Sequence, residues 1–182
     1  MAVDLRAHVR DVADFPQAGI LFRDITPLMA SASALAQAVD ALHARVHALN
    51  VDLVVAPEAR GFMLGGALAV ALGAGFVPAR KPGRLPAQTM SAEYALEYAT
   101  DSLELHVDAL AGSPRVLVHD DLLATGGTAA ALCGLVQSLS ATVVGCAFVI
   151  ELDGLGGRRR LAGRQVESLL RLPAAASAPG VN

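Results

Sequence analysis

The sequence predicts an α/β domain built on a central, mostly parallel sheet flanked by helices, and three observations predict it. Four short apolar runs rich in valine, "VDLVVAP", "GFVPAR", "VLVHDDLL" and "ATVVGCAFVIEL", have the continuous character of strands covered on both faces. Helical patterns alternate with them along the chain, as parallel pairing requires. The turns between the two kinds of segment are short. At 182 residues the length suits one domain, 1–182, with a sizeable core.

Taken in order, "SASALAQAVDALHARVHALN" places Leu35, Val39, Leu42, Val46 and Leu49 three or four residues apart, the stripe of an amphipathic helix. "VDLVVAP" follows as a buried strand. "GFMLGGALAVALG" is a helix apolar nearly all round, compatible with a core or with an interface. After the strand "GFVPAR", the stretch from Lys81 to Ser102 has no clean periodicity and carries prolines, tyrosines and polar residues. A loop of that length in a compact domain is either functional or disordered. "LELHVDAL" alternates as a strand of the same excursion. "VLVHDDLLATGGTAAAL" reads as strand, turn and helix, "ATVVGCAFVIEL" as a long buried strand, and "GGRRRLAG" as a short basic helix or turn. The segment from Arg171 onward, "RLPAAASAPGVN", is expected to fray.

Composition excludes several classes. A net charge of −3 argues against nucleic acid or a membrane surface as partner. The hydrophobic fraction of 54% is inflated by alanine, and no run of about 18 apolar residues has membrane-spanning quality. The first twelve residues carry charges where a secretion signal needs an apolar stretch. Cys133 and Cys146 sit in apolar segments with no metal-ligand spacing, as expected of reduced thiols in a cytoplasmic protein.

The chemistry concentrates at 116–132. In open α/β sheets ligands lie beyond the carboxyl ends of the strands. Asp120 and Asp121 stand at such an end, and the small residues Ala124, Thr125, Gly126, Gly127 and Thr128 follow. There backbone N–H groups can converge, with the positive end of the next helix behind them and two threonine hydroxyls beside them: a cradle for a phosphomonoester. No Lys-Ser/Thr pair follows the glycines and no Gly-x-Gly-x-x-Gly occurs, so a Walker loop and a Rossmann dinucleotide site are both excluded. Carboxylates beside a phosphate make sense if the ligand carries vicinal hydroxyls, which they accept from strongly. A ribose 5-phosphate has that layout, and negative charge under its ring favours a cationic sugar transition state.

A hydrophobic strand, Asp-Asp, then Thr-Gly-Gly-Thr resembles the phosphoribosyl diphosphate (PRPP) signature of type I phosphoribosyltransferases. "DFPQAGILFRDITPL", "EARGFMLGG", "RKPGRLP" and "YALEYATDSLELH" narrow the resemblance to the adenine phosphoribosyltransferase family over roughly residues 10–165. It implies the type I phosphoribosyltransferase fold with a small N-terminal hood, about 1–30, and a flexible flap, about 81–106. It also implies transfer of the phosphoribosyl group of PRPP to adenine, giving AMP and diphosphate, in a cytoplasmic homodimer. By the same resemblance Arg60 reaches the diphosphate, and the Glu58–Ala59 peptide before it is a non-proline cis bond. Arg80, Lys81 and Arg84 meet the diphosphate as well. Glu97 serves the purine proton and Tyr98 helps to close the flap, with Glu93 and Glu104 as competing acids. Phe22 stacks on the base, while main-chain groups of Leu21 and Arg23 read its edge and Asp24 fixes the loop. His119 is non-catalytic. Mg²⁺ is implied as cofactor, bound mainly through PRPP and water, with no all-protein metal site. Pro57, and Ala99 where the family has glycine, depart from its pattern. Two alternatives stay open from the residues: a phosphoribosyltransferase for another base, and a PRPP-sensing regulator on the same fold.

Overall fold

The structure is a computed structural model that describes residues 3–95 and 100–174. Its centre is a five-stranded parallel sheet made of β3 (Leu53–Pro57), β4 (Gly75–Ala79), β7 (Arg115–Leu123), β8 (Thr142–Asp153) and β9 (Val166–Pro173). The spatial order is β4-β3-β7-β8-β9. On one face lie α1 (Thr26–Ala30), α2 (Ala32–Val46) and α3 (Arg60–Leu72), packed over Val54, Leu117, Ala147 and Val149. The other face is covered by α4 (Gly127–Ser138) and by an antiparallel hairpin of β5 (Thr89–Ala95) and β6 (Thr100–His106), over Val55, Val118 and Phe148. Alternate residues of each strand thus serve separate cores, which is why the strands read as unbroken apolar runs. No helix among the described residues is long and apolar enough to cross a membrane.

Three expectations need correction. The buried stripe of α2 is Ala34, Ala38, Leu42 and Val46, with Leu35, Val39 and Leu49 only partly covered at its flank. Alanine lets the helix approach closely, so the small residues and not the larger ones take the centre. The excursion after β4 is no irregular loop: β5 pairs with β6 from Thr89–His106 to Ala95–Thr100. Residues 171–173 do not fray, because they complete β9 beside Glu151, Leu152 and Asp153 of β8.

An N-terminal hairpin, β1 (Arg10–Ala13) with β2 (Leu21–Asp24), stands outside the sheet. The buried Arg23 guanidinium fastens it, with Nη1 2.6 Å from Asp11 Oδ1 and Nη2 donating at 2.8 Å to the Pro173 carbonyl. Asp24 ends β2 and starts α1. It accepts from the Thr26 hydroxyl at 2.6 Å and the Thr26 N–H at 2.8 Å, and it pairs with Arg10. Those bonds, the Thr26 hydroxyl first, lower its carboxyl from 3.8 to about 2. Its contribution to stability is therefore present above the ordinary carboxylate range and lost as pH falls toward about 2. Asp24→Asn should lower the melting temperature at neutral pH, and melts taken at decreasing pH should show the gap to the parent closing.

Candidate active site

The sheet order creates the site. The chain moves outward from β3 to β4, then crosses β3 to reach β7, so connections leave β3 and β7 in opposite directions. Their pairing runs only from Leu53–Val116 to Val55–Val118, and beyond it the two carboxyl ends are not paired with each other. A cavity of about 370 Å³ lies there, lined by Pro57–Arg60 from one strand end, by Asp120 and Asp121 from the other, and by Lys81, Asp101, Leu103 and Thr128. A second, of about 210 Å³, adjoins it along 122–129 and shares Arg60, both aspartates and Thr128. A larger one, about 430 Å³, lies behind these, around the short helix α5 (Gly157–Arg160), and holds none of the predicted residues. Its charges are largely matched, Arg158 with Glu151 and Arg171 with Asp153.

The acidic pair sits within β7, not at its last residue, since the strand runs on to Leu123. Asp121 is almost fully buried, with Arg60 Nε 2.7 Å from its Oδ2. This oxygen is enclosed, and Arg60 meets it as an ion pair without hydrogen-bond geometry. Asp120 accepts from the Asp121 N–H at 2.8 Å. Burial first, then the neighbouring charge of Asp121, pushes the Asp120 carboxyl well above its usual range. Of the two adjacent carboxyls, the one that faces the Arg60 cation is Asp121.

The turn after β7 has the character of an anion site. Gly126 takes a left-handed conformation, φ 78°, and α4 begins at Gly127 with no side chain capping its first N–H groups. Those donors therefore point outward beside Thr125 and Thr128, where a phosphate can take them.

Arg60, the first residue of α3, joins parts that are far apart in sequence. Its guanidinium lies 4.9 Å from the centre of the Phe22 ring as well as beside Asp121. Phe15 meets Phe22 edge-on at 5.1 Å. Of the base-pocket segment, Phe22 thus reaches the cavity mouth, whereas the Arg23 side chain is spent on holding the hairpin. β2 pairs on one side only, leaving main-chain groups along its other edge. Gly61 is needed where α3 meets the strand ends: a Cβ there would lie 2.9 Å from Pro57 Cδ and 3.1 Å from Asp120 Oδ1.

The Glu58–Ala59 peptide is cis. Glu58 itself takes a part that its sequence position does not reveal. It accepts from the Lys81 N–H at 2.6 Å and from Arg80 Nη2 at 2.9 Å, with Arg84 Nε at 3.7 Å. Burial would raise its carboxyl, but these groups outweigh it and hold it below its usual range. Lys81 Nζ lies 3.0 Å from Asp101. The basic turn predicted to meet an anion is therefore gathered at the cavity with two carboxylates among its cations. Asp101 was missed in sequence, where nothing links it to a lysine twenty residues away. Glu97 and Tyr98, with Ala99, lie outside the described residues. Glu93 is exposed on β5, and Glu104 Oε2 accepts from the Gly83 N–H at 3.2 Å, a structural role in the turn. His119 is fully buried on the α3 side, its imidazole pushed down to about 4 by that burial, and lines neither cavity at the strand ends.

An uncapped helix start and an acidic pair lie together at the switch point of the parallel sheet, and residues 28–167 match the family model described as phosphoribosyl transferase domain, which sets the class. A curated adenine phosphoribosyltransferase from Synechococcus sp. (strain CC9605) is 54% identical over 93% of this chain and 99% of its own length. The crystal structure of adenine phosphoribosyltransferase from Thermoanaerobacter pseudethanolicus superposes with a TM-score of 0.90 at 48% identity, over 92% of this chain and 98% of that one. That of the Saccharomyces cerevisiae enzyme, complexed with adenine and an imino-altritol bisphosphate, has a TM-score of 0.86 at 38% identity over 91% and 96%. This chain belongs to the adenine phosphoribosyltransferase family.

Proposed function

We propose that this chain transfers the 5-phosphoribosyl group of PRPP to adenine, giving AMP and diphosphate. The observation that carries the reading is the convergence of the free N–H groups at 126–128, the two aspartates and Arg60 on one pair of adjoining cavities. The 5-phosphate takes the loop Ala124–Thr128. The ribose hydroxyls donate to Asp120 and Asp121, which line both cavities. Diphosphate leaves toward Glu58, Ala59 and Arg60, with Arg80, Lys81 and Arg84 turning from their carboxylates to its oxygens. As it leaves, positive charge grows on the sugar, and the acidic pair lies on the side where that charge develops. Phe22 stacks on adenine, and main-chain groups of Leu21 and Arg23 read its amino and ring-nitrogen edge. Glu97 serves the purine proton, and Tyr98 closes over the ribose, in a flap of about 81–106 that meets a hood of about 1–30.

Magnesium fits the donor set, which is all oxygen at the strand ends. Among the described residues no three His, Cys, Asp or Glu side chains gather into a metal cage. The ion would then be held by diphosphate and ribose oxygens, with Asp120 and Asp121 acting through water or through the sugar. Bound so, it offsets charge on the departing diphosphate.

The protein acts in the cytoplasm as a homodimer. The exposed apolar side chains Met63 and Val70, one above the other on α3, support a self-association face, and sedimentation of a Val70→Glu variant as a monomer would bear on it. Activity is tested by AMP formation from adenine, PRPP and magnesium, with hypoxanthine and guanine as rival bases. Turnover of adenine alone is expected. Preference for another base would move the enzyme to a different specificity, and no turnover of any base would favour a sensor of PRPP.

A further inference from the structure

The wall behind the phosphate loop is made of backbone. A Cβ on Gly157 would lie 2.3 Å from the Ala124 carbonyl oxygen and 2.9 Å from Leu123 Cγ, and one on Gly126 would lie 2.9 Å from the Gly157 carbonyl oxygen. Real Cβ atoms essentially never come within 3.0 Å, so two glycines let the loop rest directly on the turn after β8. Where Gly157 stands therefore decides where residues 124–126 stand.

Gly157 is held in turn by its neighbours. The Arg158 guanidinium forks onto Glu151, Nε to Oε1 at 2.9 Å and Nη2 to Oε2 at 2.6 Å. The same group donates to the Val166 carbonyl at 2.7 Å and to the Ser168 hydroxyl at 3.1 Å, and Ser168 donates to the same Glu151 oxygen. Glu151 is 4% exposed and Ser168 7%. On the other side the buried Leu161 donates its N–H to the Gly157 carbonyl at 3.2 Å. An apolar contact would fix how deep the turn sits. A bidentate pair fixes its rotation too, because the planar fork tolerates little misalignment. None of Glu151, Gly157, Arg158 and Ser168 lines either cavity at the phosphate loop.

We propose that Gly157 and Arg158 are positioning residues for PRPP: the Glu151–Arg158–Ser168 clamp holds the Gly157 backbone as a backstop that sets the phosphate loop at its binding geometry. The proposal rests on the reading of 124–128 as the phosphate loop. Hydrogen bonds from converging N–H groups weaken steeply with misalignment, so a shift of a fraction of an ångström shows in donor binding before anything else.

The test is steady-state kinetics with PRPP and adenine varied separately, together with the rise in melting temperature on adding PRPP alone. Gly157→Ala should raise the KM for PRPP at least about tenfold, leave that for adenine within about twofold, and shrink the PRPP-induced melting shift. Arg158→Met should do the same by about threefold, and Arg158→Lys, which keeps the charge but not the fork, should resemble it and not the parent. A folded Gly157→Ala with an unchanged PRPP KM, or an equal loss toward both substrates, would overturn the proposal. If that variant does not fold, the two Arg158 variants decide by the same criterion. Gly127→Val, placed in the loop itself, separates the two readings. A raised PRPP KM there with none in Gly157→Ala removes only the backstop, whereas no effect in either removes the phosphate loop as well.

Discussion

Asp121→Asn should lower kcat/KM for PRPP by about 2–4 kcal/mol, the range found for single preorganised electrostatic groups. Asparagine keeps the size of the side chain and loses its charge. The buried oxygen 2.7 Å from Arg60 Nε then no longer balances the guanidinium, and, on the proposed reading, the ribose hydroxyls lose an anionic acceptor. A second effect falls on Asp120. Its carboxyl is raised by burial and next by the charge of Asp121, so removing that charge should lower it part of the way, burial remaining. Any limb of the pH–rate profile due to Asp120 should accordingly move to lower pH in the variant. Rates at several pH values, with melts to confirm folding, check both effects. A loss under about tenfold would take the ribose away from this pair.

Glu97→Gln should cut kcat by about 10²–10⁴-fold at saturating substrates, the usual contribution of a general acid or base, while adenine still binds. Glutamine keeps hydrogen-bonding capacity and cannot transfer the proton. Glu93→Gln is the control, an exposed side chain on β5 across from Ser102, and should be nearly silent. Equal mild effects from the two would mean that the closing of the flap, and not the Glu97 carboxyl, carries this part of the catalysis.

What could be read in sequence was what is local. β7, its loop and α4 form one continuous segment whose residue types are those that a phosphate and a diol require, and fold and cradle were legible together there. β9 was not. Its buried positions include Ser168 among Val166 and Leu172, and the serine is there to meet Glu151 and Arg158, an interaction invisible without the neighbouring strand. β5 escaped for a related reason: its inward residues Met90 and Ala92 are only partly buried, so its alternation is weak. At the site, Glu58 meets Arg80 because the register sets Pro57 beside Ala79, a consequence of β3–β4 pairing that spacing along the chain cannot give. The contact of Phe22 with Arg60 likewise needs the β1–β2 hairpin in place.

The β5–β6 hairpin occupies the stretch of chain that links β4 to β7, where an α/β protein ordinarily has a crossover helix. Leu103, Leu105 and Leu110 are sunk in the same core as α4, so the descending strand does the helix's job of covering the sheet. This connection crosses β3, which lies between β4 and β7, and supplies Lys81, Asp101 and Leu103 to the lining of the cavity at the β3 and β7 ends. The same piece of chain is therefore foundation at one end and roof at the other. The paired rows from Thr89–His106 to Ala92–Leu103 tie the residues at the cavity to the buried part of the hairpin, so a change in that core would be felt at the site.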